Sequence, residues 1–194
     1  MSKNYPLVLV SLFLLTSCQQ FTATVPVKPV VLSEAEQQQL VQQAQIKVKE
    51  FGGALLHTVQ SSMQAGGAEQ AIQSCQLLAP QLASQASSNG WEVARTSLKV
   101  RNPANQPDAW EQQVLEKFAQ QAVQGMAVSE LKYAEFVAGK FRYMQAIEIK
   151  QPCLACHGQQ ISPQIQAKLT QLYPNDQAIG YQLGELRGAF SLQK

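Results

Sequence analysis

The chain has 194 residues, enough for one domain with extensions and a substantial hydrophobic core. Its 15 Lys and Arg against 13 Asp and Glu leave a formal charge of +2, too balanced for a nucleic-acid binder. The hydrophobic share of 45% is that of an ordinary soluble globular protein, and the many Gln residues give polarity without charge.

Residues 1–17 read as a secretory signal. Lys3 supplies the positive start, and "PLVLVSLFLL" is an apolar run too short to span a membrane. The run "LTSC", Leu15 to Cys18, resembles a bacterial lipoprotein box, in which cleavage precedes the cysteine and acyl chains are added to it. An ordinary signal with an incidental Cys18 is the alternative. Gln19 after that cysteine, by resemblance to lipoproteins of two-membrane bacteria, implies an outer-membrane anchor facing the periplasm. Residues 18–33 read as a tether, in which the run "FTATVPVKPVVLSE", with Pro26 and Pro29 among β-branched residues, extends over ~40 Å at about 3.1 Å per residue. The folded domain is expected over 34–194.

Ser33 and Glu36 form a capping-box pattern that opens a long helix. Its apolar stripe runs Leu40, Ala44, Val48, Phe51, Leu55, Val59. Gly52-Gly53 is expected to bend or weaken this helix, and "AGG" at 65–67 to end it. A second helix is expected from Ala68 to Ala79, stopping at Pro80. Residues 91–100 read as a strand, and "NPANQPD" as a loop. Asp108 caps a helix to about Gly125, with Trp110, Val114, Phe118 and Val123 on or near one face. Residues 129–149 read as a β-hairpin turning at Ala138-Gly139. A short helix near Pro163–Leu172, the turn "YPND" and a final strand "RGAFSL" complete the chain. Helices first, then strands joined as hairpins, imply an α+β domain with an antiparallel sheet.

Chemistry concentrates in "QPCLACHGQQ", where Cys153, Cys156 and His157 form Cys-x-x-Cys-His. Haem c attachment needs two thiols near enough in the chain to reach both vinyl groups, and a histidine beneath the iron; this order supplies both. Export strengthens that reading, because haem c is assembled outside the cytoplasm. A thioredoxin-like pair should open a long helix, which "HGQQISP" does not resemble. A structural zinc needs four ligands, and only Cys75 and His57 remain to join Cys153 and Cys156. Such a zinc-stabilised, non-enzymatic interaction domain stays open as the alternative. A Cys153–Cys156 disulfide would leave His157 unexplained.

With Cys18 assigned to lipid and the motif cysteines to haem, Cys75 is left alone in an oxidising compartment. It lies on the stripe Ala68, Ala71, Ile72, Cys75, Leu78, Ala79, where a cysteine packing as a small hydrophobe is the simplest reading.

The segments "AIQSCQLLAP", "ARTSLKVRNPANQPDAWE", "CLACHG" and "YPNDQAIGYQLGELRGAFS" together resemble a family of single-haem c-type cytochromes with a PAS-like fold. The resemblance covers about residues 35–194. It implies one covalent haem with its iron held by His157 and by Cys75, the residue at the family's early-helix cysteine. It also implies electron transfer or redox and gas sensing, not catalysis. The family's domain often precedes kinase or cyclase modules; no such module is expected within these 194 residues. Beyond the haem-attachment machinery, the redox partner is left open.

A thiol bound to iron is deprotonated and pushes electron density onto the metal, so two protein ligands imply a six-coordinate iron of low potential. Arg95, Lys99 and Arg101 are candidates to neutralise haem propionates, or else form a solvated strand face. Thr96 and Asn102 are weaker polar candidates. Among other distal ligands, His57 falls off the Leu40–Val59 stripe at ~100° per residue. Met63, Met126 and Met144 have no pattern pointing to a pocket.

Overall fold

A computed structural model describes residues 32–194. The signal, Cys18 and nearly all of the tether lie outside the described residues. Helix α1, Glu34–Ala86, starts at the expected capping box, with Ser33 and Glu36 each satisfying the other's backbone N–H. The helical path breaks at Gly66 and Gly67, the latter at φ 72, where a residue lacking Cβ carries no strain. Two arms result, 34–65 and 68–86, and they fold back on each other. Lys47 Nζ donates to the Ala86 carbonyl at 3.0 Å, and the Ser62 and Ser74 hydroxyls meet at 2.8 Å.

Strands β1 (Glu92–Thr96), β2 (Lys132–Val137), β3 (Lys140–Glu148) and β4 (Leu186–Gln193) form one antiparallel sheet in the order β1-β4-β3-β2. Alternation along the strands gives the sheet two apolar faces. Phe141, Tyr143 and Leu192 pack with Trp91 and Val93 against Ala44, Val48, Phe51 and Leu55 of α1. Met144, Ala146 and Ala189 pack on the other face against Val114, Leu115 and Phe118 of α2 (Ala109–Val123). The expected α+β class, with an antiparallel sheet, a long N-terminal helix and flanking helices, is the observed one. Helices α3 (Leu154–His157) and α4 (Pro163–Leu172) lie between β3 and β4 in sequence. No described helix is long and apolar enough to cross a membrane.

Four local expectations are corrected. The second arm of α1 does not stop at Pro80 but runs to Ala86. Pro80 is exposed, while Ala79, Leu82, Ala83 and Ala86 pack into the core. Gly52-Gly53 does not interrupt the helix; a Cβ on Gly52 would stand 3.0 Å from the Phe190 ring, so the glycine serves close packing. Strand β1 ends at Thr96 because the Lys99 N–H bonds the Ser97 hydroxyl at 3.2 Å and folds the chain into a turn. Val123 is 89% exposed at the last turn of α2 and contributes nothing to its buried face.

Candidate functional site

Strand β3 runs through a bulge at Ile147/Glu148 into a turn, Gln151–Cys153, and then into the four-residue α3. One helical turn sets Cys153, Cys156 and His157 at i, i+3 and i+4, which brings all three side chains to one side of the backbone. Gly158 ends the turn with extended backbone, and a Cβ there would lie 2.5 Å from the Leu154 carbonyl oxygen. The chain then pairs with the loop before β4: Tyr181 N–H donates to the His157 carbonyl at 2.9 Å, and Gly180 N–H to that of Gly158 at 3.0 Å.

His157 donates from Nδ1 to the Ala178 carbonyl at 2.6 Å. With its proton on Nδ1, the ring leaves the Nε2 lone pair available to a metal. Burial holds the imidazole pKa well below 6.5, and the nearby charges of Arg101 and Arg187 act in the same direction, so the ring is neutral near pH 7. Its edge meets the Tyr181 ring, with centroids 6.3 Å apart and planes at 84°.

Cys75 sits half-buried on the second arm of α1. It shares a face with Ile72, which packs on Leu169 and Tyr173 beside Cys156. Burial pushes the Cys75 thiol pKa up, while Arg95 and Arg101 pull it down. Burial likewise raises Cys156, whose surroundings include Arg101, Cys75 and Cys153. Residues 75, 95, 101, 156 and 157 are therefore brought into one electrostatic neighbourhood. The three described cysteines are free thiols.

The cations differ in how they are held. Arg101 pairs with Asp176 at 3.0 Å and donates to the carbonyls of Cys156 and Ala178. Lys99 donates to the Ile179 carbonyl and lies 4.3 Å from the Tyr181 ring centroid. Arg187 donates to the Ser97 hydroxyl at 2.8 Å and the Lys99 carbonyl at 3.2 Å. The Arg95 side chain makes no hydrogen bond or ion pair among the described residues, although burial lowers its pKa. Thr96 bonds the Asn105 carbonyl, and Asn102 caps the turn Pro103–Asn105.

The other metal candidates are not drawn in. His57 is exposed on the first arm of α1, Met63 and Met126 are 38% and 46% exposed, and Met144 is buried against α2. No three His, Cys, Asp or Glu side chains among the described residues stand together as a metal group, so the zinc tetrad with His57 is not assembled. Asp176, Ala178, Tyr181 and Arg187 were missed as individual site residues by sequence reasoning. Their partners lie far away in the chain, and "YPND" signals only a turn.

No curated protein matches the chain in sequence. A solved structure, "Crystal structure of the cyanobacterial heme-protein Tll0287", has the same fold. It aligns with a TM-score of 0.58 and 22% identity, covering 84% of this chain and 96% of that one. The model of the Tll0287-like family matches residues 30–193. The chain belongs to the Tll0287-like family.

Proposed function

We propose that this protein is a lipid-anchored periplasmic c-type cytochrome carrying one haem on Cys153 and Cys156, with His157 and Cys75 as axial ligands. One-electron exchange is the activity that the site supports best. The observation that carries the reading is the His157 ring, tied through Nδ1 to Ala178 directly behind the two free thiols. Family membership and the solved haem protein of like fold support it.

The residues fit the group. Arg95, a half-buried guanidinium without a protein partner among the described residues, suits an acidic propionate, whereas Arg101 and Lys99 already have protein partners. Bound haem supplies an iron that gains and loses one electron. Cys153 and Cys156 would hold the group, His157 would offer Nε2 and Cys75 would offer its sulfur. Redox or gas sensing at the same site requires Cys75 to leave. The reading also includes cleavage before Cys18, acylation there, and loading by the haem-attachment machinery before a redox partner is met.

Protein purified from a host with that machinery should show a Soret band and retain haem peroxidase staining after denaturation. A colourless protein, or haem fully removed by acid–acetone, contradicts the reading. Replacing Cys18 by Ala should release the protein from the membrane fraction.

A further inference from the structure

We infer that Arg101 and Asp176 form a positioning pair for His157, a buried strap that fixes the orientation of its imidazole. The inference rests on the haem reading above. Asp176 Oδ1 accepts the Ala178 N–H at 2.8 Å, and its Oδ2 accepts Arg101 Nε at 3.0 Å. Arg101 Nη2 then donates to the Cys156 carbonyl and, at 3.3 Å, to that of Ala178. The Ala178 carbonyl is also the acceptor of His157 Nδ1–H at 2.6 Å. The ligand-bearing turn and the 176–178 loop are thus closed into one ring of hydrogen bonds.

Two further features make this ring a constraint. The side chains of Arg101 and Asp176 are only 13% and 7% exposed, so water does not replace a lost partner. The Gly158–Tyr181 bridge clamps the other edge of the same turn, which leaves the imidazole little freedom once Ala178 is fixed. A hydrogen bond to one ring nitrogen sets the direction and rotation of the other when it binds a metal. Arg101 also shares the Ala178 carbonyl with His157 and so limits how strongly that carbonyl draws on the Nδ1 proton. The guanidinium fork gives Asp176 Oδ2 two nitrogens, Nε and Nη2, each at 3.0 Å, while Nη2 also serves the carbonyls, and a single ammonium nitrogen lacks the second of these.

The test compares wild-type holoprotein with Asp176→Asn, Arg101→Lys and a control, Glu111→Gln. The control loosens a different ion pair, Arg142–Glu111 at 3.5 Å, beside α2. Ferric EPR reads the orientation of the axial imidazole, and hydrogen-exchange mass spectrometry reads the 178–181 amides. Wild type and control should give one low-spin species and slow exchange. Asp176→Asn should give more than one low-spin species and about tenfold faster exchange at Ala178, Gly180 and Tyr181. Arg101→Lys should behave likewise, and it decides the matter if Asp176→Asn does not accumulate. One unchanged low-spin species in either variant, or exchange no faster than in the control, overturns the inference. A wild-type protein without covalent haem refutes the parent reading instead, before any variant is compared.

Discussion

His157 and Ala178, 21 residues apart, are joined by a hydrogen bond of 2.6 Å from the ring Nδ1 to the backbone carbonyl oxygen. The bond selects a tautomer, and the tautomer decides which nitrogen is free. The loop before β4 therefore shapes the chemistry of a motif whose own residues are silent on orientation. The variants of Asp176 and Arg101 described above test that relationship.

Cys153 and Cys156 should each contribute one thioether. The intact mature protein should weigh one haem more than its polypeptide, and the mass should survive denaturation. Cys153→Ser or Cys156→Ser should leave a single bond and shift the pyridine haemochrome band to longer wavelength. A wild-type haemochrome typical of unattached haem contradicts the assignment.

Arg95→Gln should lower the reduction potential by an amount on the order of tens of millivolts. On the proposed reading, in which Arg95 meets a haem propionate, its positive charge favours the reduced state and its removal the oxidised one. Redox titration followed in the Soret region checks the sign. A rise, or no change, would show that Arg95 does not face the haem.

Much of the fold is legible in the sequence, and the unread part has a common cause. The capping box at Ser33, the helix cap at Asp108, the break at Gly66-Gly67 and the hairpin turn at Ala138-Gly139 are local signals, and each appears where expected. The arm beyond Pro80 escapes a local reading because packing against the first arm outweighs a helix breaker. Gly52 looks like a weak point because the Phe190 ring it accommodates is far away in the chain. In the site, Cys153, Cys156 and His157 announce themselves by spacing. The Asp176–Arg101 pair spans 75 residues and has no local signature.

The two glycines at 52–53 should respond in opposite ways. Nothing stands within 4 Å of the place a Cβ on Gly53 would take, so Gly53→Ala should stabilise the helix by up to about 1 kcal/mol. Gly52→Val places branched methyls against the Phe190 ring and should cost about 1–3 kcal/mol. Thermal unfolding of both variants checks the contrast, and equal shifts would contradict the packing described.

Asp108 should contribute an acid-sensitive part of the stability. Partial burial pushes its carboxyl pKa up, but the hydrogen bond and charge of Arg142, with the Glu111 and Trp110 N–H groups, outweigh this and hold it below 3.8. A folded pKa below the unfolded one means the contribution is complete above that unfolded value and is lost as the pH falls through the folded one. Asp108→Ala should cost about 1 kcal/mol near neutral pH through loss of the cap. Asp108→Asn keeps a capping oxygen and should differ from wild type less as the medium becomes acidic. Urea unfolding across the acid range measures both.

The most direct measurement of the central claim is the ferric EPR spectrum of the holoprotein beside those of Cys75→Ala and His57→Ala. Cys75 is half-buried beside the arginines and within the electrostatic surroundings of Cys156, whereas His57 is exposed on the other arm of α1. Wild type should be low-spin with a thiolate signature. Cys75→Ala should turn high-spin or take a different ligand, with a higher potential, and His57→Ala should match wild type. An unchanged spectrum in Cys75→Ala, or loss of the low-spin signal in His57→Ala, would contradict the assignment.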